Sequence, residues 1–156
     1  MINVFSRSDK GKEAPLSFKS VLVPVNGSEA SMMAVEFACS IARRSRGKVH
    51  VVHVIEVRRA LPLDADLTVE AQRGEEILTQ AEMAAHRQDF EVEGELLQAR
   101  DAGHAIVDEA IERSADAIII GVPYRRPFGE FELSRVPAQV LKTAPCEVIL
   151  LRMPAE

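Results

Sequence analysis

At 156 residues the chain has the length of one domain, and folding at this size buries roughly 68–70% of the unfolded surface, so no staple is needed. Hydrophobic residues at 47% and charged residues at 28% are ordinary for a globular protein and exclude a disordered, collagenous or coiled-coil chain. Nineteen Lys and Arg against 24 Asp and Glu leave a net charge of −5, which repels phosphate backbones and makes nucleic acid a poor default partner.

Residues 1–17 mix charges such as Arg7, Asp9 and Lys10 with Gly11 and Pro15 and have no apolar core for a secretory signal. They are expected to be a flexible segment or linker ahead of a domain at 18–154, in a cytoplasmic protein. From Lys19 a β-branched run ends in the turn Asn26-Gly27. A helical stripe of Ala30, Met33, Ala34, Phe37, Ala38 and Ile41 follows, with Ser28 as N-cap and Glu29 at the positive end of the helix dipole. Asn-Gly also suits a hairpin, but no alternating second strand follows it, so strand, turn and helix is the reading kept. Lys48 to Val57 is a second strand. A loop through Pro62 and Asp64 leads to a helix whose apolar face holds Ile77, Leu78, Ala81 and Ala85.

A third strand is expected from Phe90 to Leu96. Asp101 can cap a third helix carrying Ile106, Val107, Ala110 and Ile111, and Asp116 to Gly121 forms a buried fourth strand. Leu133, Val136, Val140 and Leu141 mark the last helix, Pro145 ends it, and Cys146 to Leu151 supply the fifth strand. Five strands separated by helices predict a doubly wound α/β domain with a mostly parallel sheet and right-handed crossovers. Cys39 and Cys146, far apart and in apolar company, are expected to be small core residues, with no disulfide or Cys-x-x-Cys motif. The apolar runs Ala117 to Ile120 and Val148 to Leu151 are far shorter than the ~20 residues a bilayer demands, so no membrane insertion is expected.

Two strand-to-helix junctions can carry chemistry, because ligands of such sheets bind beyond the carboxyl ends of the strands. At Pro24 to Ser28, Gly27 lets backbone approach a ligand and the next helix offers N–H groups to an anion; a plain tight turn with a capped helix explains the same residues. The second junction is VPYRRPFGEFEL, twelve residues with three of the seven aromatic side chains in the protein, Tyr124, Phe128 and Phe131, beside Arg125 and Arg126. Those arginines can hold phosphate while a ring stacks a base. Equally, the rings can fold onto the domain, leaving the arginines in water or paired with Glu130 and Glu132.

The stretch from Phe18 to Arg152 resembles a universal stress protein domain: VLVPVNGSE is similar to that family's first strand and turn, HVIEV to its second strand end and SADAIIIG to its fourth strand. The resemblance implies an adenine nucleotide alpha hydrolase-like sheet of order 3-2-1-4-5, which sets both junctions on one crevice. It places the base near Pro24, Val25, Asn26 and Val54, with Asn26 standing where nucleotide-binding members have Asp. Their phosphate loop, Gly, two residues, Gly, nine residues, Gly, then Ser or Thr, falls here on Gly121, Tyr124, Ser134 and Arg135, so only the first glycine is kept. Tyr124 adds bulk where backbone meets phosphate and Arg135 replaces a small hydroxyl, which argues against ATP in the usual geometry. Arg125, Arg126 and Arg135, with Val136 at the helix start, can replace backbone contacts with charge-assisted ones, and Gly129 offers another flexible point. No cofactor is demanded; ATP or another adenine nucleotide is the candidate.

Catalytic signals are missing. His50 and His53 lie three apart on a strand and so face opposite sides, His104 falls in the first turn of a helix, and His86 lies near a helix end. Neither a G-x-S-x-G elbow nor a Walker lysine occurs. The expected function is a non-enzymatic cytoplasmic module acting in stress response or regulation through protein contacts. The resemblance implies a homodimer paired through Glu147 to Leu151, although the N-terminal segment could shield that strand instead. One alternative is an adenine-nucleotide-sensing regulatory domain of a membrane transporter, partnered with that transporter; another is weak nucleotide hydrolysis.

Overall fold

The computed structural model describes residues 17–155; apart from Ser17, the segment expected to be flexible lies outside them. In chain order the elements are β1 (Ser20–Pro24), α1 (Glu29–Arg44), β2 (Lys48–Glu56), α2 (Thr68–Arg87), β3 (Glu93–Ala99), α3 (Ala102–Glu112), β4 (Ala117–Val122), α4 (Arg135–Thr143) and β5 (Glu147–Arg152). All strand pairs are parallel, in the order β3-β2-β1-β4-β5. The α/β class and strand order are those expected from the sequence.

Each face of the sheet has its own core. Val21, Val23, Val49, Val51, Ala117 and Ile119 point to α1 and α2, while Leu22, Val52, Ile118 and Ile120 point to α3 and α4. This is the strand alternation of side chains, buried on both sides because helices cover both. Ser28 caps α1 by accepting from the Ser31 amide at 3.1 Å, and Asp101 caps α3 by accepting from the His104 amide at 2.9 Å.

Three expectations need correction. β3 starts at Glu93, three residues later than the alternation suggests, because Asp89 adopts a positive φ of 52° and the Phe90 amide closes α2 onto the Ala85 carbonyl. Phe90 and Val92 therefore pack against the core without joining the ladder. Met33, Phe37, Ile111 and Leu141, assigned to apolar faces, are exposed. On α1 the small residues Ala30, Ala34, Ala38 and Ala42 face the core instead, which lets the helix approach closely and leaves the longer side chains at its flank. Cys39 is buried as expected, and burial pushes its thiol up to about 11, whereas Cys146 is only half-buried.

The sheet has two unlike edges. β5 offers Val148, Ile149, Leu150 and Leu151, all half-buried, while β3 begins with Glu93 and Glu95, whose carboxylates engage His50 and Arg113. Close approach of α1 to β4 explains Gly121: a Cβ there would lie 1.8 Å from the Ala30 carbonyl oxygen.

Candidate functional site

β1 ends early and β2 runs on. The ladder between them closes at Pro24 opposite Val52, followed by one bond at 2.8 Å from the Val25 amide to the Val52 carbonyl. Alternate residues of a parallel strand bond to the same side, so the backbone of Val54 projects toward the place where β1 has stopped. The chain leaves β1 for α1 on one face and β4 for α4 on the other. Between these diverging connections lies a crevice of about 430 Å³, within the range of small-molecule sites.

From the ends of β1 and β2 come Pro24, Val25, Asn26, Val52 and Val54 with the polar His53 and Glu56, and from the sheet's second face Ile106 and Ile120. The Val25 carbonyl accepts from His53 Nδ1 at 2.7 Å, which fixes that ring beside the first turn. Asn26 spends its side-chain oxygen on the Ser28 amide, 3.0 Å away, and Gly27 takes a φ of +86°. With Ser28 already serving as cap, the α1 junction is the tight turn and capped helix that the sequence also allowed.

From β4 and its connection to α4 come Gly121, Pro123, Arg125, Ser134, Arg135 and Val136, and Ser134, the N-cap of α4, makes no side-chain capping bond. The Arg135 and Val136 amides open the helix; Pro137 has none to give. Arg135 reaches Glu56 at 2.7 Å and Asp101 at 3.4 Å. The amide bond from His104, then the charges of His104 and Arg135, hold the Asp101 carboxyl below its ordinary range.

Of the residues singled out in the sequence, Pro24, Val25, Asn26, Val54, Gly121, Arg125, Ser134, Arg135 and Val136 meet on this one crevice. Tyr124 and Arg126 do not. The Tyr124 ring stacks on Phe131 at 5.8 Å, and Arg152 lies 4.7 Å from its centroid. Tyr124 and Phe131 thus pack on each other and on Arg152 of β5, which the sequence reading did not consider, and neither ring lines the crevice where a base would stack. Arg126 folds back onto the Gly129 carbonyl at 2.6 Å and borders a neighbouring shallow depression. Glu56 and His53, which line the crevice, and Asp101, which pairs with Arg135 beside it, are residues that the sequence reading missed as part of the site. Their signal was position, since all three stand at or near the carboxyl ends of β2 and β3.

The histidines do face opposite sides. His53 meets the α1 turn, while His50 Nδ1 accepts from Arg113 at 2.9 Å and lies 3.2 Å from Glu93. Burial, then the Arg113 charge, lowers the His50 pKa below the ordinary 6.5. The folded protein therefore binds this proton less readily than the unfolded chain. The stabilisation is present above pH 6.5 and is lost as pH falls through the lowered value. Urea midpoints of wild type and His50→Gln should converge in acid and separate near neutrality; parallel profiles would refute this. Among the described residues there is no cluster of three or more metal-ligating side chains, and no helix is long and apolar enough to cross a membrane.

Residues 17–152 match the family model described as the universal stress protein family. A universal stress protein of Methanocaldococcus jannaschii is 26% identical over 143 residues, covering 88% of this chain and 84% of that protein. The structure of a universal stress protein from Archaeoglobus fulgidus superimposes with a TM-score of 0.74 at 27% identity, over 85% of this chain and 98% of the other. A universal stress protein from Archaeoglobus fulgidus in complex with dAMP superimposes with a TM-score of 0.67 at 25% identity, over 87% and 98%. With the family model spanning nearly the whole domain and the sheet order in agreement, the chain belongs to the universal stress protein family.

Proposed function

We propose that this chain is a non-enzymatic cytoplasmic module that binds an adenine nucleotide in the crevice and acts through contacts with other proteins. The observation that carries the reading is the mixed lining of the crevice. Apolar side chains and the free backbone edge of Val54 suit a flat heterocycle with hydrogen-bonding edges, and Arg125, Arg135 and the uncapped start of α4 suit phosphate. The dAMP complex of the Archaeoglobus fulgidus relative supports the same ligand class. Retention of only Gly121 from the glycine pattern favours side-chain contacts to phosphate over a backbone cradle.

Calorimetric titration with adenosine, AMP, ATP and GMP tests this. Saturable binding of at least one adenine compound, tighter than GMP, is expected; no heat from any adenine compound would overturn the reading. The half-buried apolar strand β5 supports a second element, pairing of two copies through Glu147 to Leu151. Light scattering at micromolar concentration should then give twice the chain mass, and a monomer would count against pairing.

A further inference from the structure

Arg135 meets an anion only in competition with two carboxylates. Its two terminal nitrogens are shared between a Glu56 oxygen at 2.7 Å and Oδ2 of Asp101 at 3.4 Å. The three residues come from the end of β2, the cap of α3 and the start of α4, so the contacts tie together three elements around the crevice. Asp101 is itself fixed, because its Oδ1 accepts the His104 amide that caps α3. Side-chain exposures of 60% for Arg135, 39% for Glu56 and 32% for Asp101 put both pairs in contact with water, where ion pairs are weak and exchange readily.

The charge balance sets what can enter. Arg125 and Arg135 supply two positive charges, and Glu56 and Asp101 supply two negative ones beside the guanidinium that must hold the ligand. A single phosphate can take a share of Arg135 at the expense of exposed, screened contacts. Each additional phosphate brings more negative charge toward the same two carboxylates, and the next cation, Arg126 on the adjoining depression, has its Nε and one terminal nitrogen engaged by the Gly129 carbonyl.

We propose that Glu56 and Asp101, by holding Arg135 between them, make the crevice selective for adenine ligands with one phosphate and against polyphosphates. The proposal rests on the adenine-nucleotide reading and assigns the selectivity to this triad. Glu56 and Asp101 are specificity determinants that act through Arg135 and by their own repulsion, and Glu56→Gln removes one charge without shortening the side chain.

The test is calorimetry with adenosine, AMP and ATP, without added divalent metal, on wild type, Glu56→Gln, Asp101→Asn and Arg135→Ala. Wild type should bind AMP about tenfold more tightly than ATP, and loss of one carboxylate charge should raise ATP affinity about fivefold or more, narrowing that ratio. Asp101→Asn, which keeps a good helix cap, should act in the same direction as Glu56→Gln. Arg135→Ala should weaken AMP about tenfold and leave adenosine unchanged. If wild type binds ATP as well as AMP, or if both neutralising variants keep the wild-type AMP-to-ATP ratio, the selectivity proposal fails while nucleotide binding stands. If no adenine compound binds any of the four proteins, both fail.

Discussion

Gly121→Ala is expected to destabilise the domain by about 3 kcal/mol or more, lowering the melting temperature by roughly 6–12 °C. The new methyl would sit 1.8 Å from the Ala30 carbonyl oxygen and 2.9 Å from the Ser31 amide nitrogen, and both belong to backbone at the capped start of α1. Neither can rotate away, so α1 or β4 must shift as a unit. A contrasting substitution is Gly103→Ala in α3, where the atoms nearest the methyl all belong to the side chain of Gln139, the first at 2.5 Å. That side chain can swing aside, and alanine is the better helix former by about 1 kcal/mol, so the net change should be small. Thermal unfolding of both variants checks the pair. A Gly121→Ala protein melting with wild type would show that α1 does not lie against β4 as described.

Val140→Ala should cost about 2–3 kcal/mol, with its effect concentrated at one end of the molecule. α4 has nine residues and buries only Pro137 and Val140; Val140 is fully enclosed in the cluster with Leu22, Ile118 and Ile106. A helix this short has little stability of its own, so its docking depends on that contact. Hydrogen exchange should show α4 opening first in the variant while β1 and β4 keep their protection. Because Ser134, Arg135 and Val136 ride on the same helix, the AMP binding proposed above should weaken together with α4 protection. Uniform loss of protection across the sheet would contradict this local anchoring.

Much of the fold was legible because its signals are local. Ser28 and Asp101 announce helix starts through side-chain geometry, and the apolar run Ala117 to Ile120 announces a strand covered on both faces. Legibility failed where tertiary packing overrides period. Met33 and Phe37 fit a helical stripe by spacing, yet the alanines beside them are what allow α1 to lie close to the sheet. Phe90 and Val92 alternate like a strand, but closure of α2 spends the Phe90 amide before the ladder begins.

The crevice was legible in its two junctions, since strand order and the carboxyl-end rule bring them together. Its charge pattern was not. Arg135 could be read as a phosphate ligand, but its pairing with Glu56, 79 residues away, and with Asp101 depends on where three elements end in space. Arg152 likewise reaches Tyr124 only because β5 lies beside β4.

The two rims of the sheet impose a limit on growth. An apolar rim at Val148 to Leu151 lies opposite one whose first residues carry Glu93 and Glu95, so the pairing proposed above would find a compatible surface on one side only. Union of like rims about a twofold axis would use up that surface and halt. Had both rims been apolar, head-to-tail addition could continue without a natural stop and draw out a filament; two glutamates on β3 oppose that outcome.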